Sequence, residues 1–281
     1  MPTAVTYQVD VEHQTKMEDV FRFWDRLADF GYDQTEAAMH HCMRELSQLL
    51  GARDAFWVGA VRVLKDPDCK SDIQNGWRIR GIQYLGQPYF DMVSVRESMQ
   101  LDLPDDPGAT NIALAAGAGV HRAYRLSEGI LVDLPSFRCT AHYDIYYTQP
   151  GVVDRLWVVF PVNAEAESYF CFDRFLDQPE FTDDELALAS YALRGIKWFH
   201  RQLMLHHGMG IGMEPLTTSE HRVKQCLLSG ASEKEIATKL GLSAGTVHQY
   251  AIRIYRKFGV KGRAEFMSLW LSGSQADTTN Q

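Results

Sequence analysis

The run "SAGTVHQYAIRIYRKFG", residues 243–259, holds the side chains whose types and spacing most directly suggest chemistry. Val247, Ala251, Ile254 and Phe258 recur at steps of four, three and four, so in a helix they form one apolar stripe. The opposite face then presents Gly245, His248, Gln249, Ile252, Arg253 and Arg256, with Lys257 at its edge. Groups that donate and accept hydrogen bonds stand at the N-terminal end, and cations follow. Such a helix can offer hydrogen bonds to base edges at one end and grip phosphates with the rest.

The surrounding residues supply the elements that such a face needs. Thr217 with Glu220, and Ser232 with Glu235, make two capping boxes, in which side chain and backbone satisfy each other's free donors. Gly230, Gly241 and Gly259 provide stops, and Ser243 is a third N-cap. Only Gly241 and Leu242 separate the second helix from the third N-cap, so the two helices must meet at a sharp angle. The spacing is that of a helix-turn-helix.

The run "LTTSEHRVKQCLLSGASEKEIATKLGLSAGTVHQYAIRIYRKFGVKGRAEF", 216–266, resembles the LuxR-type (NarL/FixJ-like) DNA-binding domain. The likeness rests on the Leu-Thr start, the Lys-Glu-Ile-Ala segment, Thr-Val in the third helix, Lys-x-Gly-Val and Arg-Ala-Glu. The resemblance implies that Lys234, Thr246, His248, Gln249 and Lys257 lie at or near double-stranded DNA. It also implies that the last helix, "RAEFMSLWL", supports pairing of two copies. The chain departs from the family in having His248 where Lys usually follows Thr-Val, and in having Gly245 where a larger or charged residue is usual. Phosphate grip at His248 should therefore be weaker, and Gly245 lets the backbone approach a duplex closely.

The charge is unevenly distributed. The chain of 281 residues has a formal net charge of −8. From Glu214 onward nine Lys/Arg face six Asp/Glu, whereas the remainder carries nineteen against thirty. A mildly basic end on an acidic body is expected when only the end meets phosphate. No apolar run approaches the roughly 18 residues of a membrane span and no signal peptide opens the chain, so no membrane partner and a cytoplasmic location are expected. Five scattered cysteines without a CxxC pair fit reduced thiols and argue against a disulfide framework or a zinc ribbon.

Residues 1–207 read as a sensory or docking domain, 208–215 as a linker, 216–273 as the helix-turn-helix and 274–281 as a tail. In the first of these, Asp33 and Glu36 predict a capped helix with Met39, Met43, Leu46 and Leu50 on one stripe, stopped by Gly51. Strand character follows at 55–64, 76–85, 139–148, 155–163 and 167–175, with Gly81 shifting the phase of the second as a bulge would. The segment 109–124 reads as helix or loop. Thr182 and Glu185 open one long helix whose Leu186, Ala189, Leu193, Ile196, His200 and Leu203 repeat near 3.5. The order predicts an α+β domain, an antiparallel sheet with flanking helices, similar to the GAF/PAS class. The 3.5 repeat, with Met267, Trp270 and Leu271, predicts a homodimer.

Other chemistries find less support. Neither Asp105-Asp106 nor Asp183-Asp184 ends an apolar strand as a phosphoacceptor site would, and the aromatics near Asp66-Pro67 do not follow the pattern of an acyl-homoserine-lactone pocket. His40-His41 and His206-His207 are adjacent pairs that diverge on a helix, so no metal site is expected. No paired titratable groups suggest catalysis, and no cofactor is implied. Trp57, Trp77, Tyr84, Tyr143 and Trp157 are candidates to line a cavity for a small-molecule effector. The whole predicts a DNA-binding regulator under a sensor. The alternatives are that the first domain docks another protein, or is an enzyme fused to the DNA-binding part.

Overall fold

The computed structural model describes residues 11–62, 74–89, 110–209 and 216–271, with side chains from Lys16 to Leu269. The first helix, α1 (Val11–Ala28), was not anticipated, although Val20, Phe23 and Leu27 are buried at helical spacing. Asp33 does not cap the next helix: it lies in a 3-10 turn, Tyr32–Gln34, and α2 (Thr35–Leu49) begins after it. The Thr35 hydroxyl donates to the Tyr32 carbonyl at 2.9 Å and tightens that turn instead. The stripe Met39, Met43, Leu46 and Leu50 is fully buried as expected.

Five strands follow: β1 (Asp54–Arg62), β2 (Trp77–Tyr84), β3 (Arg122–Arg125), β4 (Val152–Asn163) and β5 (Ala166–Phe175). They form one antiparallel sheet in the order β2-β1-β5-β4-β3. Gly59 pairs with Gly81 and Ala60 with Ile79, so Arg80 is the extra residue of a bulge, beside the glycine that predicted it. The paired glycines leave room for one side chain. A Cβ on Gly59 would fall 2.5 Å from the Met209 Cε, and one on Gly81 3.1 Å from it.

The segment 139–148, expected as a strand, is helical. Short helices α3 (Thr110–Ala116), α4 (Leu134–Phe137) and α5 (Ala141–Tyr143) are present, and a π turn over Asp144–Thr148 continues α5. Thr140 caps α5, its hydroxyl accepting from the Tyr143 amide at 3.1 Å. Tyr143 and Tyr147 stack at 5.2 Å, so the aromatic spacing serves a period of four and not of two. The fifth strand is β3, in the stretch read as helix or loop.

The predicted long helix is two, α6 (Asp183–Arg194) and α7 (Lys197–His206). Trp24 from α1 explains the break. Its indole donates to the Ala192 carbonyl at 2.8 Å, and a Cβ on Gly195 would lie 2.3 Å from its ring. Ala189, Leu193, Ile196, His200 and Leu203 are all buried within this unit, so the 3.5 repeat faces its own core and is not the dimer surface expected of it. Helices α1, α2, α6 and α7 cover one sheet face, and the 110–149 segment covers the other.

The C-terminal unit holds α8 (Thr218–Leu228), α9 (Glu233–Leu240), α10 (Ala244–Lys257) and α11 (Arg263–Leu271). Val223, Leu227, Ile236, Val247, Ala251, Ile254, Phe258 and Phe266 form its core, which Leu205 from α7 joins. No described helix is long and apolar enough to cross a membrane.

Candidate nucleic-acid interface

Local hydrogen bonds fix each helix start. Thr217 Oγ1 accepts from the Glu220 amide at 3.3 Å while the Glu220 carboxylate accepts from the Thr217 amide at 2.8 Å. Ser232 and Glu235 repeat the exchange at 3.4 and 2.7 Å. The Ser243 hydroxyl accepts from the Thr246 amide at 3.0 Å, and Gly241 turns the chain at φ +67°. Such boxes set the start of each helix to the residue. Arg263 of α11 reaches back to the carbonyls of Ala231 and Leu227 at 2.7 and 2.5 Å, tying α11 to the end of α8 and the loop after it.

With Val247, Ala251, Ile254 and Phe258 buried, α10 exposes Gly245, Thr246, His248, Gln249, Ile252, Arg253 and Arg256, and α9 exposes Lys234. Thr246 shares its hydroxyl with Ser243 at 2.8 Å. His248 Nδ1 lies 3.2 Å from the Glu233 carboxylate across the turn, a partner that sequence reading missed. The Arg253 guanidinium lies over its own helix's Tyr250 ring at 5.6 Å. Lys257, at the edge of this face, has an intramolecular partner. Its ammonium is paired with Glu220 at 2.8 Å, in a contact only 12% and 3% exposed on the two sides. The hydrogen bond and charge of Lys257 hold the Glu220 carboxyl below its usual range against burial. Lys257 is thus a tie between α10 and α8. Met267 is half-buried, and the side chains of Trp270 and Leu271 lie outside the described residues.

The five cavity candidates do not share one side of the sheet. Trp57 faces the helical layer, where its indole donates to Ser168 Oγ at 2.8 Å, whereas Trp77, Tyr84, Tyr143 and Trp157 belong to the opposite cluster. At the centre of that opposite face is a pair the sequence reading overlooked. Arg155 binds Asp173 through two bonds of 2.6 and 2.7 Å, and Tyr89 donates to the same carboxylate. The guanidinium lies between the rings of Phe56 and Tyr147 at 4.9 and 4.8 Å. Burial, helped by Arg155, pushes the nearby His142 down to about 4. The signal was parity: Arg155 stands two residues before Trp157, and Asp173 two after Cys171, on inward-facing positions. Among the described residues no group of three His, Cys, Asp or Glu could hold a metal ion.

Short helices, a tight turn and an exposed basic face define a helix-turn-helix DNA-binding class, and comparison with known proteins agrees. Residues 214–270 match the family described as bacterial regulatory proteins, luxR family. The C-terminal unit is therefore a LuxR-type DNA-binding domain, and the chain is a transcriptional regulator. It is 24% identical over 190 residues to an HTH-type transcriptional regulator in the exeN 3' region of Aeromonas salmonicida, covering 59% of this chain and 93% of that one. It is 38% identical over 60 residues to the transcriptional regulatory protein UhpA of Escherichia coli, covering 21% of this chain and 31% of UhpA. Among solved structures, Escherichia coli SdiA aligns with 90% of this chain and 95% of its own at 15% identity and a TM-score of 0.43. The VqsR LBD domain from Pseudomonas aeruginosa aligns with 67% and 96% at 13% identity, also at 0.43.

Proposed function

We propose that the regulator reads DNA as a homodimer, with α10 of each copy in the major groove. Gln249 and His248 face base edges, Gly245 lets the helix start approach the duplex, and Thr246, Lys234, Arg253 and Arg256 contact the backbone. The observation that carries this division is the exposed face of α10, polar at its capped start and cationic further along. Two copies would place their reading helices about one turn of DNA apart. Met267, Trp270 and Leu271 on α11 are the residues assigned to pairing. The measurement is binding of the full chain to genomic DNA fragments over a salt series. Log affinity should fall linearly with log salt, by about 0.9 per phosphate contacted. A flat salt response would remove the reading.

The N-terminal unit, residues 1–207, is assigned the role of sensor, with no catalytic role and a cytoplasmic setting. A small-molecule effector would sit between the sheet and the 110–149 layer, against Trp77, Tyr84, Tyr143 and Trp157. In support, the Trp77 indole N–H is buried and has no hydrogen-bond partner among the described residues, a donor that a ligand acceptor would satisfy. An effector bound there should raise the Tm of the wild type and lose most of that shift in Trp77→Phe. An equal shift in both would place the effector elsewhere.

A further inference from the structure

Where α7 ends, the N-terminal unit meets α8, and the contact is made of side chains that carry positive charge or can acquire it. His206 and His207 close α7, His221 and Lys224 lie nearly one turn apart on α8, and Glu36 approaches from the first turn of α2. The imidazole centroids form a triangle of 5.1, 5.4 and 5.7 Å. His207 also stacks on Trp57 of β1 at 4.8 Å. His206 Nε2 lies 3.3 Å from the Glu36 carboxylate, and Lys224, with no exposed surface, donates to the His206 carbonyl.

Carboxylates around this cluster are few. Glu36 is more than half exposed, and Glu220, which also faces His221, is already paired with Lys257. His206 Nδ1 and His207 Nε2 are buried and have no hydrogen-bond partner among the described residues. An imidazolium needs both nitrogens to donate, so the packed arrangement suits neutral rings only.

We propose that this cluster is a proton-responsive latch, which holds the DNA-reading unit against the sensor unit while its three imidazoles are neutral and releases it when they are protonated. Burial, with the charges of its neighbours His206, His221 and Lys224, pushes His207 down to about 2. Burial, with Lys224 and His206, pushes His221 down to about 3. His206 is lowered by burial against the opposing pull of Glu36, and burial holds Lys224 well below the usual lysine range. In the separated state the imidazoles return toward about 6.5. The docked state therefore binds fewer protons, and docking is undiminished by the histidines above about pH 6.5 and weakens as pH falls below it. Glu36, held low chiefly by its bond from His206, stays ionised through this window and adds no slope. Counting only His207 and His221, a fall from about pH 7.5 to about 5.5 should weaken docking roughly 100-fold.

The test is small-angle scattering of the full chain from pH 8 to 5, with circular dichroism recorded alongside. The radius of gyration of the wild type should rise as pH falls through about 6.5 while helical signal persists. In the double variant His207→Gln/His221→Gln the rise should be smaller or displaced to lower pH, because only His206 and Lys224 still gain protons on release. A constant radius, an equal expansion in the double variant, or expansion only together with loss of helical signal would each overturn the latch. If the double variant is not folded at pH 8, Lys224→Met decides. Removing the buried amine should move the wild-type transition to lower pH, and an unmoved midpoint would overturn the proposal. None of these readouts depends on DNA.

Discussion

On the N-terminal sheet, Arg155 and Asp173 are cross-strand partners with 5% and 0% of their side chains exposed, and Arg122 and Glu167 are buried as deeply. On α10, Arg253 and Arg256 stand in solvent. The same residue type does different work in the two places. A buried pair adds little net stability over an apolar pair of the same shape, but breaking it strands a charge, so it enforces one register. An exposed cation contributes little to folding and remains free to meet a phosphate. Lys257 belongs by position to the second region and by contact to the first.

This contrast can be broken most decisively at Asp173. Asp173→Ala leaves Arg155 buried without its carboxylate and should cost about 3–5 kcal/mol of unfolding free energy, read by urea denaturation. A loss near zero would mean that the sheet charges are as dispensable as surface ones. Smaller, and confined to DNA binding, is the pair Gln249→Ala and Arg256→Ala. The first should reduce discrimination between sites by about 1–3 kcal/mol, and the second should weaken all sites alike and reduce the salt slope by about one. Lys257→Ala sharpens the comparison. It should lower the Tm through the lost tie to Glu220 while leaving the salt slope unchanged. Gly195→Ala, which sets a methyl against the Trp24 ring, should cost about 1–3 kcal/mol without altering the salt slope. Ser232→Ala, which removes one box from the start of α9, should cost about 1 kcal/mol, seen as a modest drop in Tm.

Legibility followed the range of the forces involved. In the C-terminal unit every capping box, glycine stop and stripe residue lies within four positions of its partner, so the sequence displayed them directly, and all three caps are present. The four longer strands, rich in β-branched and aromatic residues, were equally visible. What the sequence hid depended on distant partners. The break at Gly195 needs Trp24, the helical state of 139–148 needs a sheet face for Tyr147 to pack on, and the Arg155–Asp173 pair spans eighteen residues. At the candidate site, the exposed face of α10 was readable from periodicity. The capture of Lys257 was not, because Glu220 lies thirty-seven residues away.

Met209, seated between the paired Gly59 and Gly81, has one more consequence. It pins the end of the chain after α7 against the sheet, and Leu216 opens the next unit only seven residues later. A fully extended chain of that length reaches about 25 Å. The DNA-reading unit is therefore on a short leash, and after any release it meets its own docking face at an effective concentration of the order of millimolar. Re-engagement is then a unimolecular event whose position depends on conditions and not on how many copies of the regulator a cell holds.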